Sequence, residues 1–89
     1  MAPAPSVVIA HDDDLVRDML RLACERAGVL VVGEARTYDD LLYRCAGANP
    51  EVTVTADRLG DTLVEDALPR LLGTGTRVIV LSADPSPSA

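Results

Sequence analysis

Four short runs rich in β-branched residues, separated by stretches of helical periodicity, constrain this chain more than any other feature. They are 6–10 (SVVIA), 29–32 (VLVV), 51–56 (EVTVTA) and 77–82 (RVIVLS). Val and Ile suit a pleated, buried surface, and short apolar runs of this kind read as strands. Between the first two runs, Leu15, Val16, Met19, Leu20, Ala23 and Ala27 recur at helical spacing, with Asp14 suited to the N-cap and Gly28 to the C-terminal stop. After the second run, Thr37 is placed to cap a helix with Asp39 and Asp40 in its first turn, where the helix dipole favours negative charge. Leu41, Leu42, Cys45 and Ala46 are its expected buried face and Gly47 its end. A third helix is expected over 61–72, where Thr62 and Glu65 have capping-box spacing and Pro69 either kinks the helix or moves its start toward Leu68. The order is β-α-β-α-β-α-β. Short connections and nearly continuous apolar strands predict an α/β fold: a doubly wound parallel sheet of about four strands, three helices on its faces and right-handed crossovers.

A length of 89 residues allows one small domain. The expected division is a flexible arm at 1–5, the domain at 6–83 and a flexible tail at 84–89, since the ends are rich in Pro and small residues. With no Trp and no Phe, the core has to come from Val, Leu, Ile and Ala. A net charge of −6 argues against direct binding to nucleic acid or to an anionic membrane, because both present negative surfaces. No run approaches the roughly 20 apolar residues of a membrane span. The first residues lack the basic and apolar regions of a signal peptide, so a cytoplasmic location is expected. Cys24 and Cys45 have no metal-ligand spacing and fall in helical apolar patterns, which reads as reduced core thiols.

In open parallel sheets, ligands gather beyond the carboxyl ends of the strands. His11, Asp12 and Asp13 follow the first strand, Ala56 and Asp57 the third, and Ser82 and Ala83 the fourth. Carboxylates converging there would suit Mg²⁺, which would neutralise a phosphoryl group beside an aspartate, while the Ser82 hydroxyl could bond a phosphoryl oxygen. Acidic residues at strand-to-helix junctions equally serve as caps. His11, Asp12 and Asp57 also admit a small metal-dependent α/β phosphatase or hydrolase, although nucleophile elbow, P-loop and second His are all absent from the sequence.

The stretches 8–17 (VIAHDDDLVR), 31–35 (VVGEA), 50–59 (PEVTVTADRL) and 77–83 (RVIVLSA) together resemble the receiver domain of two-component response regulators, especially those with LuxR/NarL-type outputs. The resemblance implies a flavodoxin-like receiver fold in which the last helix, strand and helix have no counterpart. It places the second acid of the family's metal-binding pair on Asp12 and the switch hydroxyl on Ser82. The first acid falls on His11 and the phosphorylated aspartate on Ala56, with Asp57 one residue later as the remaining acceptor candidate. The family's lysine has no match, since all eight basic residues are Arg. The implied function is a regulatory domain rather than an enzyme, with aspartyl phosphorylation weakened or lost, acting through protein contacts. The alternative is a phospho-accepting receiver using Asp57, with Asp12 and Asp13 holding Mg²⁺. Implied partners are a sensor histidine kinase or another signalling protein, and a second copy meeting the exposed last strand.

Overall fold

All four strands read from the sequence form, and they join one parallel sheet. The structure, a computed structural model, describes residues 4–82. Its elements are β1 (Ser6–Ala10), α1 (Asp14–Arg26), β2 (Leu30–Ala35), α2 (Tyr38–Ala48), β3 (Val52–Ala56), β4 (Arg58–Leu59), β5 (Thr62–Leu63), α3 (Val64–Gly73) and β6 (Arg77–Leu81). The strand order is β2-β1-β3-β6, with β4 and β5 forming a separate two-stranded ribbon. The four-stranded α/β expectation therefore holds. The reversal of order beside β1 puts its carboxyl end, and that of β3, at the switch point.

The sheet is covered unequally. On one face, Val8 and Ala10 of β1 pack with Tyr38, Leu41 and Cys45 of α2 and with Val64, Ala67 and Leu71 of α3. Leu41 and Leu71 are fully buried, and each such side chain is worth about 1.5–3 kcal/mol. Among the described residues the other face carries only α1, which buries none of its own residues. Leu15, Met19 and Leu22 stand 68%, 61% and 50% exposed, so the apolar face expected for this helix is only partly used. Its orientation follows from Glu34 of β2, which lies 3.6 Å from both Arg17 and Arg21. Those arginines fix the flank facing β2. At 3.6 residues per turn, Leu15 and Met19 fall on the opposite flank, toward β3 and β6.

Several boundaries differ from the sequence reading. Asp13 caps α1 in place of Asp14, its carboxylate accepting from the amides of Leu15 and Val16. The second strand runs on to Ala35 through Gly33 and Glu34, with a register shift against β1 between Val7 and Val8. α2 ends at Asn49 rather than Gly47; Asn49 takes the left-handed conformation at φ 48°. Ala46 is exposed, while Tyr38 joins the core. The capping box at Thr62 and Glu65 does not form, because Thr62 is spent in β5 and the helix begins at Val64 behind Leu63, which makes no side-chain cap. Pro69 lies inside α3, so the helix does not wait for it. In β3 the fully buried residues are Thr53 and Thr55, with Val52 and Val54 half-buried on the thinly covered face. Cys45 is buried, Cys24 half-buried, and both thiols are free. At the start of the chain the Pro5 carbonyl accepts from Leu30, tying down the last residue assigned to the arm. Residues 1–3, Ala83 and the tail assigned to 84–89 lie outside the described residues.

Candidate functional site at the carboxyl edge of the sheet

β1 and β3 deliver His11, Asp12 and Asp57 to one edge because the strands run parallel and end level, Ala10 pairing with Thr55. His11 continues β1, its amide donating to Ala35 at 3.1 Å. Its imidazole Nδ1 accepts from the Asp13 amide at 3.0 Å. A nitrogen accepting in that way carries no proton, so the 3.5 Å approach of Nδ1 to Asp12 is not an ion pair in this arrangement. The Asp12 carboxylate turns across the edge and accepts from the Gly60 amide at 3.1 Å. Gly60 sits at φ 61° in the turn of the β4–β5 ribbon, a conformation that Gly adopts without a Cβ penalty. Asp12 thereby staples the β1–α1 loop to the loop after β3. Asp14, next to the cap, binds the guanidinium groups of Arg36 and Arg17, which hold its carboxyl below the usual range.

The position that the receiver resemblance assigns to the acceptor is a wall. Ala56 is the last residue of β3 and only 5% exposed. Its carbonyl accepts from the Tyr38 hydroxyl at 2.9 Å and from the Thr55 hydroxyl at 3.0 Å. Asp57 follows in a bend, half-buried, between the end of β3 and the start of β4. Its amide donates to Leu81 at 3.0 Å and its carbonyl accepts from Val64 at 2.9 Å. Burial pushes the Tyr38 hydroxyl above its ordinary value, partly offset by a hydrogen bond with Thr55, and the charges of Asp57 and Asp12 push it up further. Both carboxylates thus act on one phenol. Ser82 directly follows β6 and is exposed beside this edge.

Asp12 and Asp13 each already accept from backbone amides of the protein through one carboxylate oxygen. Asp13 Oδ1 accepts from the α1 amides and Asp12 Oδ2 from Gly60, and an imidazole stands at His11 in place of a hard oxygen donor. Among the described residues, no three His, Cys, Asp or Glu side chains gather as a metal-binding group. His11 and Asp12 follow β1, Ala56 ends β3 with Asp57 after it, and Ser82 follows β6, while Asp13 caps α1. Sequence reasoning missed Tyr38 and Gly60. Tyr38 is one of only two aromatic residues and follows its helix cap directly, the one signal that could have marked it.

No family model matches the sequence, and no curated protein matches it. Among solved structures, the chain is similar to the signal receiver domain of the response regulator NarL from Mycobacterium tuberculosis, at 26% identity and a TM-score of 0.84 over 98% of this chain and 73% of that one. It is similar to the response regulator PhyR from Brucella abortus, at 28% identity and a TM-score of 0.78 over 89% of this chain and 32% of that one. A third similar structure is the anti-anti-sigma factor PhyR from Bartonella quintana complexed with the anti-sigma factor NepR, at 26% identity and a TM-score of 0.77 over 96% of this chain and 35% of that one. The chain spans about a third of the length of the PhyR chains it matches. No helix among the described residues is long and apolar enough to cross a membrane.

Proposed function

We propose that this chain, whose fold is that of a response-regulator receiver, is an atypical regulatory domain that acts through protein contacts in a cytoplasmic two-component-type pathway controlling transcription. Aspartyl phosphorylation is weakened or lost. One observation supports the reading: at the position that the resemblance assigns to the acceptor stands Ala56, buried, with its carbonyl accepting from Tyr38. The neighbouring acids support it, since Asp12 and Asp13 bind backbone amides of the protein itself. Binding as the output has a parallel in the PhyR structure complexed with an anti-sigma factor. For this chain the partners are a sensor histidine kinase or another signalling protein, and a second copy through the open sheet edge.

A second reading, phosphorylation on Asp57, is favoured by one feature. β3 ends at Ala56, so Asp57 lies in a bend, and its charge acts on the same phenol as that of Asp12. Incubation with Mg²⁺ and acetyl phosphate, followed by intact mass, separates the two readings. The proposal expects no phosphoryl gain in wild type. A phosphoryl group mapped to Asp57 would overturn it in favour of the second reading. Ala56→Asp run in parallel reports whether the edge accepts a phosphoryl group once a carboxylate is restored.

A further inference from the structure

The two edges of the sheet are guarded very differently. β2 carries Glu34, held by Arg17 and Arg21, and a register shift at Val7/Val8. A charge and an irregularity of this kind are what keep an edge from pairing with other chains. β6 has neither. Its register with β3 is unbroken from Arg77 to Leu81, Arg77 is its only charge, and Ile79, Val80 and Leu81 are 51%, 41% and 36% exposed.

The backbone of β6 also dictates how it would be met. The Arg77 amide donates to Glu51, and the Leu81 carbonyl accepts from Asp57, so both residues direct their polar groups inward to β3 or its flanks. Along a strand these directions alternate, so Ile79 also faces β3, and the N–H and C=O of Val78 and Val80 face outward. An antiparallel partner strand needs residues of that outward set opposite one another. If the partner is β6 of a second copy, a twofold axis at Ile79 sets Val78 opposite Val80 of the second copy, and Val80 opposite Val78. Each of these two pairs exchanges both bonds. Ile79 then meets Ile79 of the second copy as a pair without hydrogen bonds, at a Cα separation of about 4.5 Å. Arg77 lies opposite Leu81, so no like charges face each other.

We propose that the chain forms a twofold dimer by antiparallel pairing of β6 with β6 of a second copy, centred on Ile79, which joins the two sheets into one. This rests on the proposed function in taking protein contact as the mode of action and a second copy as partner, and it deepens that reading by fixing the register and the symmetry of the contact. A second copy is the occupant because the strand is complementary to itself in hydrogen bonding, apolar content and charge, as an isologous interface requires. Ile79 pairs in register with Val54 on the thinly covered face, so the dimer also covers apolar surface on that side. Val78 and Val80 do the same on the other face.

The test is sedimentation equilibrium of the full chain over a wide concentration range, with two variants. Val80→Pro removes only an outward N–H, a change that an edge strand tolerates. Wild type is expected to double its mass with concentration, and Val80→Pro to stay monomeric with an unchanged far-UV spectrum. In a Cys24→Ser background, Ile79→Cys is expected to oxidise to a disulfide-linked dimer, since its Cα atoms meet within disulfide range. Arg77→Cys in the same background is not, because its partner is residue 81. If Val80→Pro fails to fold, the cysteine pair reads the register alone. A wild type that stays monomeric at every concentration, or an Ile79→Cys chain that links no better than Arg77→Cys, overturns the dimer. Neither result touches the acetyl phosphate experiment, whose failure is read as a phosphoryl gain on the monomeric Val80→Pro chain just as well.

Discussion

Replacing Tyr38 by Phe isolates the contact between its hydroxyl and the end of β3 at Ala56. The ring stays, so no cavity opens, and only the 2.9 Å bond from the hydroxyl to the Ala56 carbonyl is removed. That carbonyl is not orphaned, because the Thr55 hydroxyl still donates to it at 3.0 Å. The loss is therefore the net worth of one buried hydrogen bond, about 1 kcal/mol, rather than the larger penalty of an unsatisfied group. In a domain of this size, 1 kcal/mol lowers the melting midpoint by roughly 4–8 °C. The pH dependence adds a second constraint. Burial first, and then the charges of Asp57 and Asp12, raise the phenol above its ordinary 10.0. Above that pH the unfolded chain releases a proton that the native state retains, so native stability falls as pH rises. The advantage of wild type over Tyr38→Phe is complete below pH 10.0 and shrinks above it. The Cys45 thiol is also raised by burial, but it is common to both proteins and drops out of the difference. Urea unfolding followed by far-UV circular dichroism from neutral to alkaline pH measures both effects. A loss above about 3 kcal/mol, beyond the reach of one satisfied bond, or a gap that widens above pH 10.0, would refute the reasoning.

Other expected outcomes follow from the same structure. Leu71→Ala, at a fully buried site in α3, should lower the urea-derived stability by about 2–5 kcal/mol. Met19→Lys, on the open flank of α1, should change it by no more than about 0.5 kcal/mol. Asp13→Ala removes the cap bonds to Leu15 and Val16 and should cost about 1 kcal/mol, with the loss of α1 helicity visible by circular dichroism. Asp14 is held below its ordinary 3.8 by Arg36 and Arg17, so its contribution is present above that pH and lost as pH falls through the lowered value. The stability difference between wild type and Asp14→Asn should therefore close on acidification, as read from thermal unfolding between neutral pH and strong acid.

The strands were legible because β-branched runs have few alternatives, and the parallel order was legible because a helix separates each pair. Which face of a strand would be buried was not. In β3 the valines look like the core residues, yet Thr53 and Thr55 are the fully buried ones, the Thr53 hydroxyl bonded to Thr76 at 2.9 Å and within 3.4 Å of the Cys45 thiol. Alternation sets two faces apart but does not say which one helices will cover. The cap of α1 was misplaced by one residue because three successive aspartates all satisfy the local rule. Asp13 takes the cap in extended backbone at φ −93°, ψ 118°, with its carboxylate on the amides of Leu15 and Val16. The capping box at Thr62 failed for a related reason: the ribbon pairs Thr62 with Leu59 and takes it out of the helix start. At the site, the residue types were legible and their engagements were not. That Asp12 reaches Gly60, 48 residues away, depends on the ribbon turn, which has no signature beyond one glycine.

The uneven covering of the sheet bears on how such a domain can signal. α2 and α3 close one face around fully buried Leu41 and Leu71, whereas the other face rests on a helix that buries none of its residues. A chain of 89 residues has little stability to spare. A partner that binds only the folded form at 100 times its Kd adds about 2.7 kcal/mol, as much as burying one of those leucines. Occupancy of the open side therefore acts on the folding equilibrium as strongly as a core contact does. In a receiver with a carboxylate acceptor, phosphorylation supplies the energy that distinguishes two states. Here the position that the receiver resemblance assigns to the acceptor is a buried alanine whose carbonyl accepts from Tyr38. Under the proposed binding mode, coupling between binding and stability supplies a difference of the same order without any covalent step, with the open flank of α1 and the strand β6 as the exposed apolar surfaces.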